Sequence, residues 1–467
     1  MKMKRLVALF AAVSMLGAML TACGDSSSAP STPSDSSKGG ESPSASTGAT
    51  GKVYFQNFKP EQDEAYQAIA AEYTQKTGVE VTVVTAASGT YEQTLRSEMG
   101  KNNAPTIFQI NGPVGYASWK DYCADLAGSE IYSHLADKSL AITGEDGGVY
   151  GVPFAIEGYG IIVNNKIMEK YFALSGAKIT DLGQISSFTK LKEVTDDMQL
   201  RKDELGIQGV FASTSLKPGE DWRWQTHLMN VPMYYEWQQN KTDLSDSAAT
   251  TDITFQNSAN FKNLFDLYLT NSTIAPTMTG SKTVDDSMAE FALGEAAMVQ
   301  NGNWAYGQIS GVEGNTVKPE DVSYIPMFIG VDGEEGQGLC IGTENFFCIN
   351  KNASEEDQKA SLDFLLWLYT SDEGKAHVTN DLGFIAPFDS FTDADKPSDP
   401  LGQQVMEWSA GINIKNVPWN FTVFPSQQFK DNFGGNLLLY AQGQMEWDAV
   451  AQQVVTDWAA EKAAAAS

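Results

Sequence analysis

The sequence predicts an α/β protein of two lobes, each a mainly parallel sheet flanked by helices. Strand and helix patterns alternate as a parallel sheet with crossover helices requires. The stretch from Lys52 to Ser467 is longer than one hydrophobic core usually organises, so two lobes are expected. Apolar residues make up 42% of the chain, enough to pack both lobes.

The N-terminus stands apart from this pattern. Lys2, Lys4 and Arg5 precede an apolar run from Leu6 to Leu20, about fifteen residues against the roughly twenty that span a bilayer. A basic start, a short apolar core and small residues before Cys23 read as a secretory signal over residues 1–22. The string Leu20, Thr21, Ala22, Cys23 resembles the lipobox of bacterial lipoproteins. That resemblance implies cleavage before Cys23, acylation of its thiol, and a mature protein held by lipid to the outer face of a cell membrane. Residues 23–50 are rich in Ser, Gly, Pro and Thr and, beyond Cys23, lack a large apolar side chain, which predicts a flexible tether.

The folded part opens with the apolar run Val53, Tyr54, Phe55, a first strand. Tyr66, Ile69, Ala70 and Tyr73 then recur at helical spacing, and Gly78 ends that helix. The β-branched stretch Val79 to Thr85 is a second strand. Tyr91, Leu95 and Met99 mark a second helix, and Thr106 to Ile110 a third strand, completing a βαβαβ unit. Later, Leu362, Leu365, Leu366 and Tyr369 share one helical face, as do Trp447, Val450, Ala451, Val454, Val455 and Trp458. Both read as core stripes, so Trp367, Trp447 and Trp458 are expected to be packing residues.

A net charge of −28 repels phosphate backbones and anionic headgroups, which argues against nucleic acid and anionic substrates. Besides Cys23 there are Cys123, Cys340 and Cys348, an odd set that leaves at least one thiol unpaired in a monomer. Cys340 and Cys348 flank an apolar stretch and either meet across a bend or stay as buried thiols. His134, His227 and His377 have no neighbouring His or Cys at ligand spacing, so no metal or other cofactor is expected.

Ligands of open α/β sheets gather outside the carboxyl ends of strands. There the first strand is followed by Asn57, Phe58, Lys59, Pro60 and Glu61, and the third ends in Gln109, Ile110, Asn111, Gly112 and Pro113. Amides, a lysine, a carboxylate and an aromatic ring suit a neutral, hydroxyl-rich ligand, because each hydroxyl both donates and accepts. Asn57, Lys59, Gln109 and Asn111 are therefore candidate site residues.

Three further segments carry a resemblance. GGVYGVPFAIEGYGIIVNNK from Gly147 looks like the hinge motif of the family 1 extracellular solute-binding proteins of ABC transporters, with Asn164 where the family usually has tyrosine. FALGEAAMVQNGNWAYG from Phe291 resembles that family's Gly-Ala-Ala-Met unit followed by Gly-x-Trp, and ASLDFLLWLYTSDEGKAHVTNDLGFIAP from Ala360 its late helix-loop-helix. The resemblance implies a two-lobed, type II periplasmic-binding-protein-like fold with hinge crossovers. The expected N-terminal lobe is 51–158 with 326–349, and the C-terminal lobe 159–325 with 350–467. It also implies a monomeric extracytoplasmic receptor for a carbohydrate, usually an oligosaccharide, serving membrane permease subunits with a cytoplasmic ATPase behind them.

Carried over by position, Glu157 matches a hinge carboxylate of the cleft and Trp304 a ring on which a sugar stacks. Trp419, in VPWNF, lies where another stacking aromatic is common. Trp222 and Trp224, with His227, are contributions expected from the second lobe. One of the two tryptophans should face the core, since residues two apart point the same way in a strand but not in a helix. Glu344 and Asn345 follow Gly342 as further candidates.

Other functions fit less well. Ser187 with Lys190 and Lys76-Thr77-Gly78 echo strings of penicillin-binding enzymes, but in reversed order and without a Ser-Asp-Asn between them. No Gly-x-Ser-x-Gly elbow or phosphate-binding loop occurs, so catalysis, including glycan hydrolysis, is not expected. A polyamine or peptide cargo would keep the fold and change the ligand.

Overall fold

The computed structural model describes residues 51–87, 89–244 and 247–465. The expected signal peptide 1–22, the expected lipidation site Cys23 and the expected 23–50 tether lie outside the described residues.

The predicted opening is present. β1 (Lys52–Asn57) pairs in parallel with β2 (Glu80–Thr85) and β3 (Ile107–Asn111). The connecting helices are Asp63–Thr77 and Tyr91–Met99. The first buries Tyr66, Ile69, Ala70 and Tyr73 and stops where Gly78 adopts φ 77°, a conformation open to glycine at little cost. β4 (Ile142–Thr143) and β5 (Val149–Pro153) complete this side of the chain before β6 (Glu157–Asn164), β7 (Gly209–Phe211), β8 (Ala296–Gly302), β9 (Val322–Ile325) and β10 (Gln337–Gly342). β11 (Asn345–Ile349) then returns to the first sheet, and β12 (Lys415–Pro418) joins the second. The first sheet runs β2-β1-β3-β11-β5-β4 and the second β12-β10-β6-β8-β7, with β9 also on β6.

The sheets are mixed rather than mainly parallel, and the crossovers explain why. β11 starts at the edge where β3 ends, having just arrived from the second lobe, so it must run antiparallel to β3, with Asn345 opposite Asn111. β6 leaves the same edge on the other side and therefore opposes β10, β8 and β9. Residues 154–156, between β5 and β6, and Thr343 with Glu344, between β10 and β11, make these two passages, and the chain crosses a third time between Phe388, in the first-lobe core, and Leu401, packed with β6 and β10.

Two expected boundaries are corrected. Within 326–349, assigned to the N-terminal lobe, β10 bonds to β6 and β12 and belongs to the second sheet. From 350–467, assigned to the C-terminal lobe, the helix Glu355–Thr370 instead packs Phe364, Leu365, Leu368 and Tyr369 into the first-lobe core with Val53, Phe55 and Ile107. Trp447 and Trp458 lie in the second-lobe core, and Trp367 packs against the first.

Cys123, Cys340 and Cys348 are buried free thiols. Cys340 and Cys348 stand in different sheets, so they do not meet, and burial pushes the Cys340 thiol up to about 12. No helix among the described residues is long and apolar enough to cross a membrane.

Candidate functional site

Strand ends build the candidate site. β1 and β3 stop, β11 and β6 start, and β8 and β10 stop, all at the edge where the lobes face each other. After β1 the chain turns on Asn57, whose Oδ1 accepts from the Lys59 amide (3.1 Å) while its Nδ2 donates to the Lys59 carbonyl (2.8 Å). Asn57 thus spends its polar atoms on aiming Lys59. Gln109 has a similar part, since its Oε1 accepts from the Phe58 amide at 2.8 Å.

Lys59 Nζ donates to Glu157 Oε1 at 2.7 Å and lies 3.4 Å from Glu61. It also sits 5.2 Å from the Trp304 ring centroid and 5.5 Å from that of Phe154. The side chains of Lys59 and Glu157 are 7% and 3% exposed, so neither charge would be tolerable alone. Burial pulls the lysine pKa down, but Glu157 and Glu61 outweigh it and hold the ammonium above its usual range. Burial pushes Glu157 up, against the pull of Lys59.

Around this pair the predicted aromatics converge. Trp304 follows β8 on a turn fixed by Asn303, which accepts from Gly158 N at 2.9 Å and donates its own amide to Gly158 O at 3.0 Å. Gly302 is needed beneath the ring, because a β-carbon there would stand 2.1 Å from it. Trp304 meets Trp419 edge-on at 6.2 Å, Trp222 at 6.1 Å and His227 at 5.6 Å. His227 stacks flat on Tyr159 at 4.2 Å. Burial, with Lys430, Lys59 and Arg223 nearby, drives its pKa well below 6.5, leaving a neutral imidazole.

Trp224 is a correction. Residues 223–228 form a π-helical turn, in which side chains two apart diverge and those five apart return to one face. Trp222 and His227 therefore share the cleft side, their rings 5.0 Å apart. Trp224 turns into the core, 2% exposed, donates its Nε1 to Ser215 O at 2.8 Å and packs on Tyr268.

The second passage between lobes carries Glu344 and Asn345. Asn345 Nδ2 donates to Glu344 Oε1 at 3.2 Å. Burial, only partly offset by Lys430, pushes Glu344 up to about 7. Among the described residues, Thr343 Oγ1, Asn345 Oδ1, His227 Nδ1 and Trp419 Nε1 are buried without a hydrogen-bond partner. Asn111 is half-buried, opposite Asn345 in the register.

The sequence reading missed Tyr159, Phe421, Thr343 and Lys430, while Glu61 belongs to the loop it singled out after β1. Tyr159 was legible, since it lies two residues from Glu157 on one strand and so faces the same way. Phe421, 5.3 Å from both His227 and Trp419, and Lys430, on the helix Gln427–Ala441, carried no local signal. A surface hollow of about 490 Å³ on the first lobe, bounded by Tyr116, Tyr150 and Lys351, holds none of the candidates.

Chemically, the site offers ring faces for C–H surfaces, and buried amide, hydroxyl, indole and carboxylate groups for hydroxyls. The sequence pattern of the bacterial extracellular solute-binding proteins matches residues 68–402. A comparison with curated proteins finds no match. Among solved structures, the chain is similar to a chitin oligosaccharide binding protein, with TM-score 0.69, 17% identity, and 88% of this chain and 100% of that one covered. It is similar to a sugar transporter from Bacillus licheniformis in complex with stachyose, with TM-score 0.65, 15% identity and coverages of 88% and 100%. A third likeness is to maltose-bound MalE3 of T. maritima, with TM-score 0.64, 15% identity and coverages of 87% and 98%. At these identities what is shared is the two-lobed fold.

Proposed function

The chain belongs to the bacterial extracellular solute-binding proteins, and from that premise we propose that it captures a neutral carbohydrate, an oligosaccharide, between its lobes and delivers it to an ABC permease. The observation that carries this reading is the convergence of Trp222, His227, Trp304 and Trp419 beside the buried Lys59–Glu157 pair. Sugar rings lay axial C–H patches on such faces while their hydroxyls reach amides and carboxylates. Stacking then supplies affinity and hydrogen bonds supply identity. Structural neighbours that hold stachyose and maltose support the same cargo class.

In this reading Trp304, Trp419 and Trp222 contact the sugar faces. Asn111, Glu344 and Asn345 meet hydroxyls, and Lys59 with Glu157 fixes the floor at the first passage. The family places the protein outside the cytoplasm. Its tether there is the lipid on Cys23, it works as a monomer with the permease subunits and their ATPase, and it releases its ligand unaltered.

Isothermal titration calorimetry against stachyose, maltose and a chitin oligosaccharide, with a polyamine and a peptide alongside, tests this. Saturable binding of a sugar that is recovered uncleaved is the expected result. Response to the polyamine or peptide alone would overturn the cargo, and cleavage of the sugar would overturn the receptor reading.

A further inference from the structure

We propose that closure of the lobes ends on two close glycine contacts, Gly89 on the Gly219 backbone and Gly112 on Thr422, and that the missing β-carbon on the first-lobe side of each sets how far the cleft shuts. The proposal rests on the capture of a solute between the lobes.

The placement carries it. Gly89 follows β2 and Gly112 follows β3, so both stand at the carboxyl edge that also presents Lys59 after β1. Facing them are second-lobe loops, the one holding Gly219 after β7 and Asn420–Val423 after β12. The three passages between lobes, at 154–156, at Thr343 with Glu344 and between Phe388 and Leu401, are elsewhere in the chain, so these loop contacts are not the connections themselves.

The distances leave no spare room. A β-carbon on Gly89 would stand 3.0 Å from Gly219 Cα and 3.1 Å from its carbonyl oxygen, and one on Gly112 would stand 2.9 Å from Thr422 Cβ. Non-bonded carbons rest at about 3.5 to 4.0 Å. The opposing atoms are backbone, or a β-carbon fixed to it, so neither can swing away, and the clash is relieved by parting the lobes. Gly89 and Gly112 have φ of 70° and 58°, where glycine is free of side-chain strain.

The contact is also lopsided, which supplies a control. A β-carbon on Gly219, at φ 84°, would meet Gly89 Cα at 3.8 Å, an ordinary contact. Gly89→Ala and Gly219→Ala therefore impose comparable local strain, but only the first obstructs closure. Strain confined to one loop is the same with the lobes open or closed and leaves affinity alone. An obstructed closed state lowers its population and raises the apparent Kd in proportion.

The first test needs no sugar. In the Gly112→Cys/Thr422→Cys protein, treated under native conditions with diamide to remove the two thiol hydrogens, a disulfide between the lobes is expected, read by peptide mass spectrometry against the single variants. The native distance of 2.9 Å must relax only to the roughly 3.8 Å between β-carbons of a disulfide. If both thiols remain alkylatable, the lobes do not meet there and the proposal falls. The second test is calorimetry with whichever of the three sugars binds. About a tenfold loss of affinity in Gly89→Ala with none in Gly219→Ala is expected, and equal behaviour of the two variants overturns it. A protein that forms the disulfide but binds none of the sugars keeps the closing contact and loses the carbohydrate reading instead.

Discussion

Trp304 illustrates how a single ring is made available for binding. It is held by Asn303 below and by Gly302 beneath its face, and it takes the Lys59 ammonium at 5.2 Å. Its fixed posture means that little rotamer entropy is lost when a ligand stacks on it. Trp304→Ala is expected to weaken sugar binding by ~1 to 3 kcal/mol, the order of one aromatic anchor, measured by calorimetry on protein of unchanged circular dichroism. Glu344 makes a different prediction. Burial raises its carboxyl from 4.5 to about 7, so the folded chain holds this proton more tightly than the unfolded chain. Its contribution to stability is therefore complete below pH 4.5 and is lost as pH rises through 7. Denaturant titrations should show wild type losing stability relative to Glu344→Gln between about pH 5 and 8. A difference that stays flat over that window would contradict the assignment. Residue identities put Trp304, Trp222 and His227 among the candidates, Trp304 through the Gly-x-Trp element it resembles and the other two as contributions expected from the second lobe. They did not foretell that Asn57 and Gln109 would turn inward to brace the Lys59 turn, since an amide at a strand end looks the same whether it serves ligand or backbone.

At the scale of elements, the helix Val284–Ala292 leads into β8 and so sets the position of Trp304. It begins with a capping box: Thr283 accepts from the Asp286 amide, and the Asp286 carboxylate accepts from the Thr283 amide at 2.9 Å. Thr283→Ala is expected to cost about 1 kcal/mol, read as a lowered Tm. If the Tm is unchanged, the cap is not limiting for this helix. The same scale explains Trp224. A π-helical turn is invisible to a reading based on periods of 3.6 and 2.0, and only that turn puts Trp222 and His227 on one side and Trp224 on the other. Strands of the opening unit were legible from β-branched runs, whereas β4 and β7, of two and three residues, exist through pairing with neighbours rather than through their own composition.

For the whole molecule, the lobes meet through Lys59 and Trp304, Gly89 and Gly219, and Gly112 and Thr422, with Glu157 and Glu344 at two of the three passages. Ligand contacts made by both lobes at once are realised only in the closed form, so saturating ligand should shift the population toward it. Small-angle scattering is expected to show a smaller radius of gyration with the bound sugar than without it. No compaction at saturation would argue against hinge closure. The chain by itself determined the α/β class, the opening βαβαβ unit, the helical core stripes and the identity of the aromatic candidates, because propensity, period and motif spacing are local properties that survive in one dimension. Tertiary structure alone decided that β10 joins the second sheet and that Glu355–Thr370 covers the first, along with the inward turn of Trp224 and the arrival of Phe421 and Lys430 at the cleft. Each of those outcomes depends on which distant surface is left to be covered once the sheets have paired, a quantity that no stretch of sequence contains.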